Sequence, residues 1–79
     1  ILIGRELNMV DIQVNLPLTS RLHCEIVYHA DRQEYDVTDY SSSGTYINRK
    51  QRLMHGITYT VKKGTALCFG DVETVYKLA

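Results

Sequence analysis

The chain carries no excess of either charge: nine Lys and Arg balance nine Asp and Glu. Proteins that neutralise duplex phosphates normally have a strong positive surplus, so this balance argues against nucleic acid as a partner. Cysteine is scarce as well. Cys24 and Cys68 stand far apart with no Cys-x-x-Cys spacing, which is not the dense framework of small disulfide-stapled domains. Each sits in an apolar alternation, and the reading favours reduced thiols packed as small hydrophobes; a bridge between two strands stays open on spacing alone. No apolar run is long enough to span a membrane and no secretory leader is seen, which points to an intracellular domain, cytoplasmic or, in a eukaryote, nuclear.

Catalytic and metal-binding patterns are missing too. Ser20, His23 and Asp39 form a superficial hydrolase inventory, but there is no Gly-x-Ser-x-Gly elbow, and 79 residues leave little room for a substrate cleft. His23, Cys24, His29, His55 and Cys68 match no zinc spacing, and His23 and Cys24 would point to opposite faces of a strand. Neither an enzyme nor a metal or cofactor site is expected.

What is present is period-two alternation. Ile12, Val14 and Leu16 alternate with polar residues, as do Cys24, Ile26 and Tyr28, then Ile57, Tyr59 and Val61, and finally Val72, Thr74, Tyr76 and Leu78. Ile1 to Ile3, Tyr35 to Thr38 and Ala66 to Phe69 are short apolar runs with strand character. Asp31 to Glu34, Lys62-Lys63-Gly64 and Gly70-Asp71 are turn signals, and the lone proline, Pro17, ends any ladder at Leu16. No segment sustains a helical period for three turns; Arg49 to His55 has room for a single helical turn. The pattern predicts an all-β fold, an antiparallel β-sandwich of short strands with loops clustered at one end. The expected unit is one domain over residues 1–79, cut from a longer chain. At that size only about 60% of the unfolded surface is buried, so stability is modest.

Three blocks of loop residues interrupt the alternation: Gly4-Arg5, then Ser20-Arg21-Leu22-His23, then Asp39-Tyr40-Ser41-Ser42-Ser43-Gly44-Thr45-Tyr46-Ile47-Asn48. Brought to one end of a sandwich, they would offer fixed cations and hydroxyl donors to a compact dianion such as a phosphorylated side chain. Arg5 can present a planar fork of donors to two phosphate oxygens. Ser20, Ser42 and the amides of the Ser-Ser-Ser-Gly turn can add more. In their order and spacing, with Gly64 before an apolar strand and Gly70 after it, these blocks resemble the forkhead-associated (FHA) domain from Ile3 to Leu78.

The resemblance implies an FHA/SMAD-like sandwich that binds phosphothreonine peptides through its apical loops. It assigns Arg5, Ser20 and Ser42 to the phosphate with Arg21 beside it, and the position of Ser43 to the peptide main chain. It makes His23, Gly44, Thr45 and Asn48 braces of the loops. Leu18 and the Gly70-Asp71-Val72 turn are candidates for reading the residues after the phosphosite, and Arg49, Lys50 and Arg52 would favour acidic residues in the ligand. The implied partner is a peptide or protein phosphorylated by a serine/threonine kinase, met by a monomeric module that recruits its parent protein. The alternative is a phospho-independent structural or interaction domain on the same scaffold. Two residues depart from the family pattern: Ser43 replaces the usual Asn, and Arg49 replaces the Gly that often follows the later Asn. A hydroxyl has fewer hydrogen-bonding sites than a carboxamide, so weaker anchoring of the peptide main chain is expected.

Overall fold

The alternation becomes nine short strands in the computed structural model, which describes residues Ile1–Ala79. In chain order they are β1 (Leu2–Gly4), β2 (Ile12–Gln13), β3 (Cys24–His29), β4 (Glu34–Asp39), β5 (Thr45–Ile47), β6 (Gln51–Arg52), β7 (Thr58–Lys62), β8 (Ala66–Phe69) and β9 (Tyr76–Lys77), with one 3-10 turn at Leu7–Met9. One sheet has the order β2-β1-β3-β4-β7 and the other β6-β5-β8-β9. Every pairing is antiparallel except that of β1 with β2.

The inward residues follow the pleat. Cys24 and Ile26 on β3, Val37 on β4, Ile47 on β5 and Leu67 and Phe69 on β8 close on one another with Ile3, Val14 and Leu53. Only 18 of the 79 residues are buried, and six of those are polar or charged. So thin an apolar core must share the work of holding the fold with buried hydrogen bonds. Cys24 and Cys68 are both buried free thiols. Burial and the charge of Asp39 push the Cys24 thiol up to about 12, so it stays protonated and packs as a hydrophobe.

Register sets where the loops go. In the β3–β4 hairpin Cys24 lies opposite Asp39, so the segment entering β3 and the segment leaving β4 emerge at one end. On the other side of β3, Ile3 pairs with Cys24, which delivers Gly4-Arg5 to the same end. Thr45 opens β5 opposite Phe69 at the close of β8, adding Gly70. Pro17 sits at the second position of a tight turn closed by Thr19 N–H on Leu16 C=O at 3.1 Å. The opposite flank is less complete: a cavity of about 270 Å³ opens between the sheets, lined by Ile1, Ile3, Ile26, Leu67, Phe69 and Leu78 among others.

Three local expectations are corrected. The alternation from Val72 to Leu78 pairs only at Tyr76–Lys77. Asp71 Oδ1 instead accepts from Glu73 N–H (2.9 Å) and Thr74 N–H (3.0 Å), a local turn that competes with the ladder. Ile12 to Leu16 likewise pairs only at Ile12–Gln13. Arg49 to His55 forms no helical turn. Asn48 and Arg49 are left-handed (φ 53° and 63°), and Lys50 N–H closes on Ile47 C=O at 3.1 Å, making the hairpin turn into β6.

Candidate functional site

Gly4 is where the first and second blocks meet. Arg5 N–H donates to Ser20 C=O at 2.9 Å and Glu6 N–H to Arg21 C=O at 3.2 Å. A side chain at position 4 would bring its Cβ within 2.1 Å of the Arg21 carbonyl oxygen. The glycine of the Gly-Arg pair is therefore a steric requirement for bringing Arg5 beside Ser20.

The third block is wound around one carboxylate. Asp39 is 2% exposed, and its Oδ1 accepts from Ser41 N–H (3.1 Å), Ser41 Oγ–H (2.6 Å) and Thr45 Oγ1–H (2.9 Å). Ser41 Oγ in turn accepts from Gly44 N–H at 2.7 Å. Hydrogen bonds to an ionised acceptor contribute about 1.5 to 3 kcal/mol each. Charge-assisted bonds of this kind fix the turn from Asp39 to Thr45, including the φ of +103° at Gly44 that a side chain would resist.

His23 ties that turn to the second block. It is fully buried. Ser20 N–H lies 3.0 Å from Nδ1, and because an amide nitrogen only donates, Nδ1 is the acceptor. Nε2 then carries the proton and donates to Gly44 C=O at 2.8 Å. Burial lowers the pKa of His23, against the opposing pull of the Gly44 bond and the Asp39 charge, and so keeps the ring neutral. The same Gly44 oxygen accepts from Gly70 N–H at 2.9 Å, so both of its lone pairs are engaged and three loops share one carbonyl.

On this frame stand the phosphate candidates. Ser20 Oγ and Ser42 Oγ are 3.4 Å apart, and Ser42 N–H donates to Ser20 Oγ at 3.2 Å. Arg5 and Arg21 flank them, both exposed. Neither guanidinium is engaged in an internal ion pair or hydrogen bond. Loops that carry two free cations and a hydroxyl pair can offer charge-assisted donors to a compact anion. None of these residues lines the apolar cavity, so the surface is built by loops and lies apart from the one deep recess.

The other expected residues take distinct places. Ser43 Oγ–H donates to Leu18 C=O, so it bridges two loops with the hydroxyl that was expected to face a peptide. Leu18 itself is 55% exposed, and its carbonyl oxygen would lie 2.3 Å from a Cβ on Gly70. Thr45 turns inward to Asp39, as described. Asn48 stands at the far end of β5, where Oδ1 accepts from Ala66 N–H at 3.2 Å and its own N–H donates to Ala66 C=O at 2.9 Å. It pins the β5–β8 pairing at the end opposite the loops.

Sequence reasoning missed Asp39 and Ser41 as organisers. An Asp two residues before a Ser, and a Gly three beyond that, is the local signal of a side chain capping its own turn. Thr19 was missed as well: it is buried, and Oγ1 donates to Phe69 C=O at 3.0 Å. His55, largely exposed, lays Nδ1 against Ser41 C=O at 3.1 Å, 3.8 Å from Asp39 Oδ2.

Fold and site together define a two-sheet β-sandwich that presents a braced, loop-built cluster of arginines and serines at one end. The family model of the FHA domain matches residues 1–70, and the chain belongs to that family. Members of it are interaction modules and not enzymes. Solved structures agree. The MEK1 FHA domain in complex with a HOP1 phosphothreonine peptide is 25% identical, with a TM-score of 0.71 over 87% of this chain and 71% of that one. The N-terminal FHA domain from S. cerevisiae Rad53p, also in complex with a phosphothreonine peptide, is 21% identical, with a TM-score of 0.70 over 84% of this chain and 52% of that one. Yeast Pml1p is 28% identical, with a TM-score of 0.72 over 86% of this chain and 51% of that one. The chain thus spans about half the length of the last two. Comparison with curated proteins by sequence finds no match. No helix is long and apolar enough to cross a membrane.

Proposed function

We propose that this domain binds phosphothreonine peptides at the Arg5, Ser20, Arg21 and Ser42 cluster and recruits its parent protein to products of serine/threonine kinases. The observation that carries the reading is the Ser20–Ser42 hydroxyl pair at 3.4 Å on loops that also carry the exposed, unpaired Arg5 and Arg21, with Arg5 N–H bonded to Ser20 C=O and the loops held by His23 and Asp39. Phosphate supplies the charge that such a cluster lacks. Three or four charge-assisted bonds, less the cost of ordering peptide and arginines, suit a Kd near micromolar, about −8 kcal/mol. An intracellular setting follows from the need for a kinase, and the complexes of MEK1 and Rad53p FHA domains support the ligand class.

Fluorescence anisotropy with matched phosphothreonine, phosphoserine and unphosphorylated peptides tests it. Salt-sensitive binding of the phosphothreonine peptide, lost in Arg5→Ala, is the expected outcome. Binding of a partner that ignores both phosphate and Arg5 would instead indicate a phospho-independent interaction domain.

A further inference from the structure

Of the three basic residues near the β5–β6 turn, only Arg52 is carried to the phosphate-facing loop. Arg49 sits at the turn itself, with Nη2 on Glu73 C=O at 3.3 Å, and Lys50 is exposed beside it. Arg52 pairs with Tyr46 across the β5–β6 ladder, which returns it toward the start of β5. Its guanidinium lies 5.9 Å from the Tyr46 ring centroid, and Nη2 donates to Ser42 C=O at 3.4 Å. It also covers Gly44, where a Cβ would come within 2.7 Å of Nε. The cation is held from three sides, yet one long bond occupies one of its five N–H donors. The rest remain available at the rim of the loop that carries Ser42 and Ser43.

Ser43 cannot offer the same service, because its hydroxyl is spent on Leu18 C=O. We propose that Arg52 reads an acidic side chain of the bound peptide, an inference that rests on the phosphopeptide reading above. The Ser42 carbonyl that Arg52 touches and the Ser42 hydroxyl assigned to the phosphate belong to one residue, so the cation and the phosphate candidate share one stretch of loop. A carboxylate close to the phosphothreonine in the peptide therefore meets a planar cation already ordered to receive it.

The test is a panel of phosphothreonine peptides carrying Asp or Asn at each flanking position in turn, titrated against wild type and Arg52→Gln, with thermal melts of both proteins. Wild type should prefer Asp to Asn at one position by roughly five- to tenfold. Arg52→Gln should bind the Asp and Asn peptides alike, whatever the loss of its bond to Ser42 C=O does to the affinity they share. A preference that survives in Arg52→Gln, or no preference in wild type, overturns the proposal. Folded wild type that binds no phosphopeptide at all overturns it together with the phosphopeptide reading, and is distinguishable from binding without discrimination.

Discussion

The two ends of this sandwich are held in different ways. At the loop end, His23, Asp39, Ser41, Thr45 and the Gly44 carbonyl close a buried polar network in which no buried side-chain polar atom lacks a partner. At the other end a turn of two left-handed, exposed residues, Asn48 and Arg49, stands at the close of β5, while along the flank an apolar cavity stays open. The first end is rigid because hydrogen bonds are directional and costly to leave unmade. The second is tolerant because its groups reach water. A domain with few buried apolar residues places its structural specificity in the loops that carry Arg5, Ser20 and Ser42.

The largest expected effect on function comes from Arg5→Ala. The substitution would remove the two charge-assisted bonds proposed from Arg5 to the phosphate and touches none of the bracing network, so phosphopeptide affinity should fall by about 100-fold or more. Melting temperature should stay where it was, and anisotropy beside a thermal melt checks both. Asp39→Ala should do the reverse. Stripping the shared acceptor from Ser41 and Thr45 should cost about 2–4 kcal/mol in urea unfolding, with weaker binding as a consequence. If Asp39→Ala left stability intact, the contrast between the two ends would collapse.

Proton binding sharpens the comparison. The pKa of His23 is lowered in the folded state because burial disfavours the charged ring. The unfolded chain therefore binds the proton first, and the stability contributed by the neutral brace is complete above an unfolded value of 6.5 and is lost as pH falls below it. On the outer face of the first sheet Asp36 accepts from His29 at 2.8 Å and from Thr60 at 2.8 Å. Those bonds hold its carboxyl below the ordinary 3.8, so its contribution persists above that value and is lost only as pH falls through its lower, folded pKa. Urea midpoints of the ligand-free protein should thus decline from neutral pH to about pH 5. A variant with both His29 and His55 replaced by Gln should keep that decline. A flat profile would mean that His23 does not brace the loop as a neutral ring.

The smallest effect belongs to the far end. Arg49→Gly relieves a left-handed non-glycine residue and should stabilise the domain by about 0.5–1 kcal/mol, less whatever the Arg49–Glu73 bond contributes. Phosphopeptide affinity should be unchanged, since the turn lies at the end of β5 away from Ser42. A chemical unfolding series reads the stability, and a matched titration reads the binding.

Much of the fold was legible in the alternation of Cys24 to Tyr28 and Ile57 to Val61 and in the short apolar run from Ala66 to Phe69. Alternation failed at Val72 to Val75, where Asp71 captures two backbone amides that an isolated period-two pattern assigns to a ladder. Within the candidate site, the exposed arginines and serines of the loops could be read directly, because the period-two alternation of the strands does not claim them. The braces could not. Asp39 looks like a polar residue at a strand end until the register buries it beneath three donors. Nothing local showed that the Ser43 hydroxyl would donate to Leu18 C=O, a partner that the Pro17 turn brings within reach. Arg52 looks no different from Arg49 and Lys50 until it pairs with Tyr46.

By itself, then, the amino-acid sequence determined an all-β sandwich with three arginine- and serine-bearing loops, since side-chain period and turn chemistry act over a few neighbouring residues. Tertiary structure alone decided which of those side chains are spent on one another and which are left unpaired. That division depends on distances between segments some twenty residues apart in the chain, such as Ser20 and Ser42 or His23 and Gly44, and only strand register sets those distances.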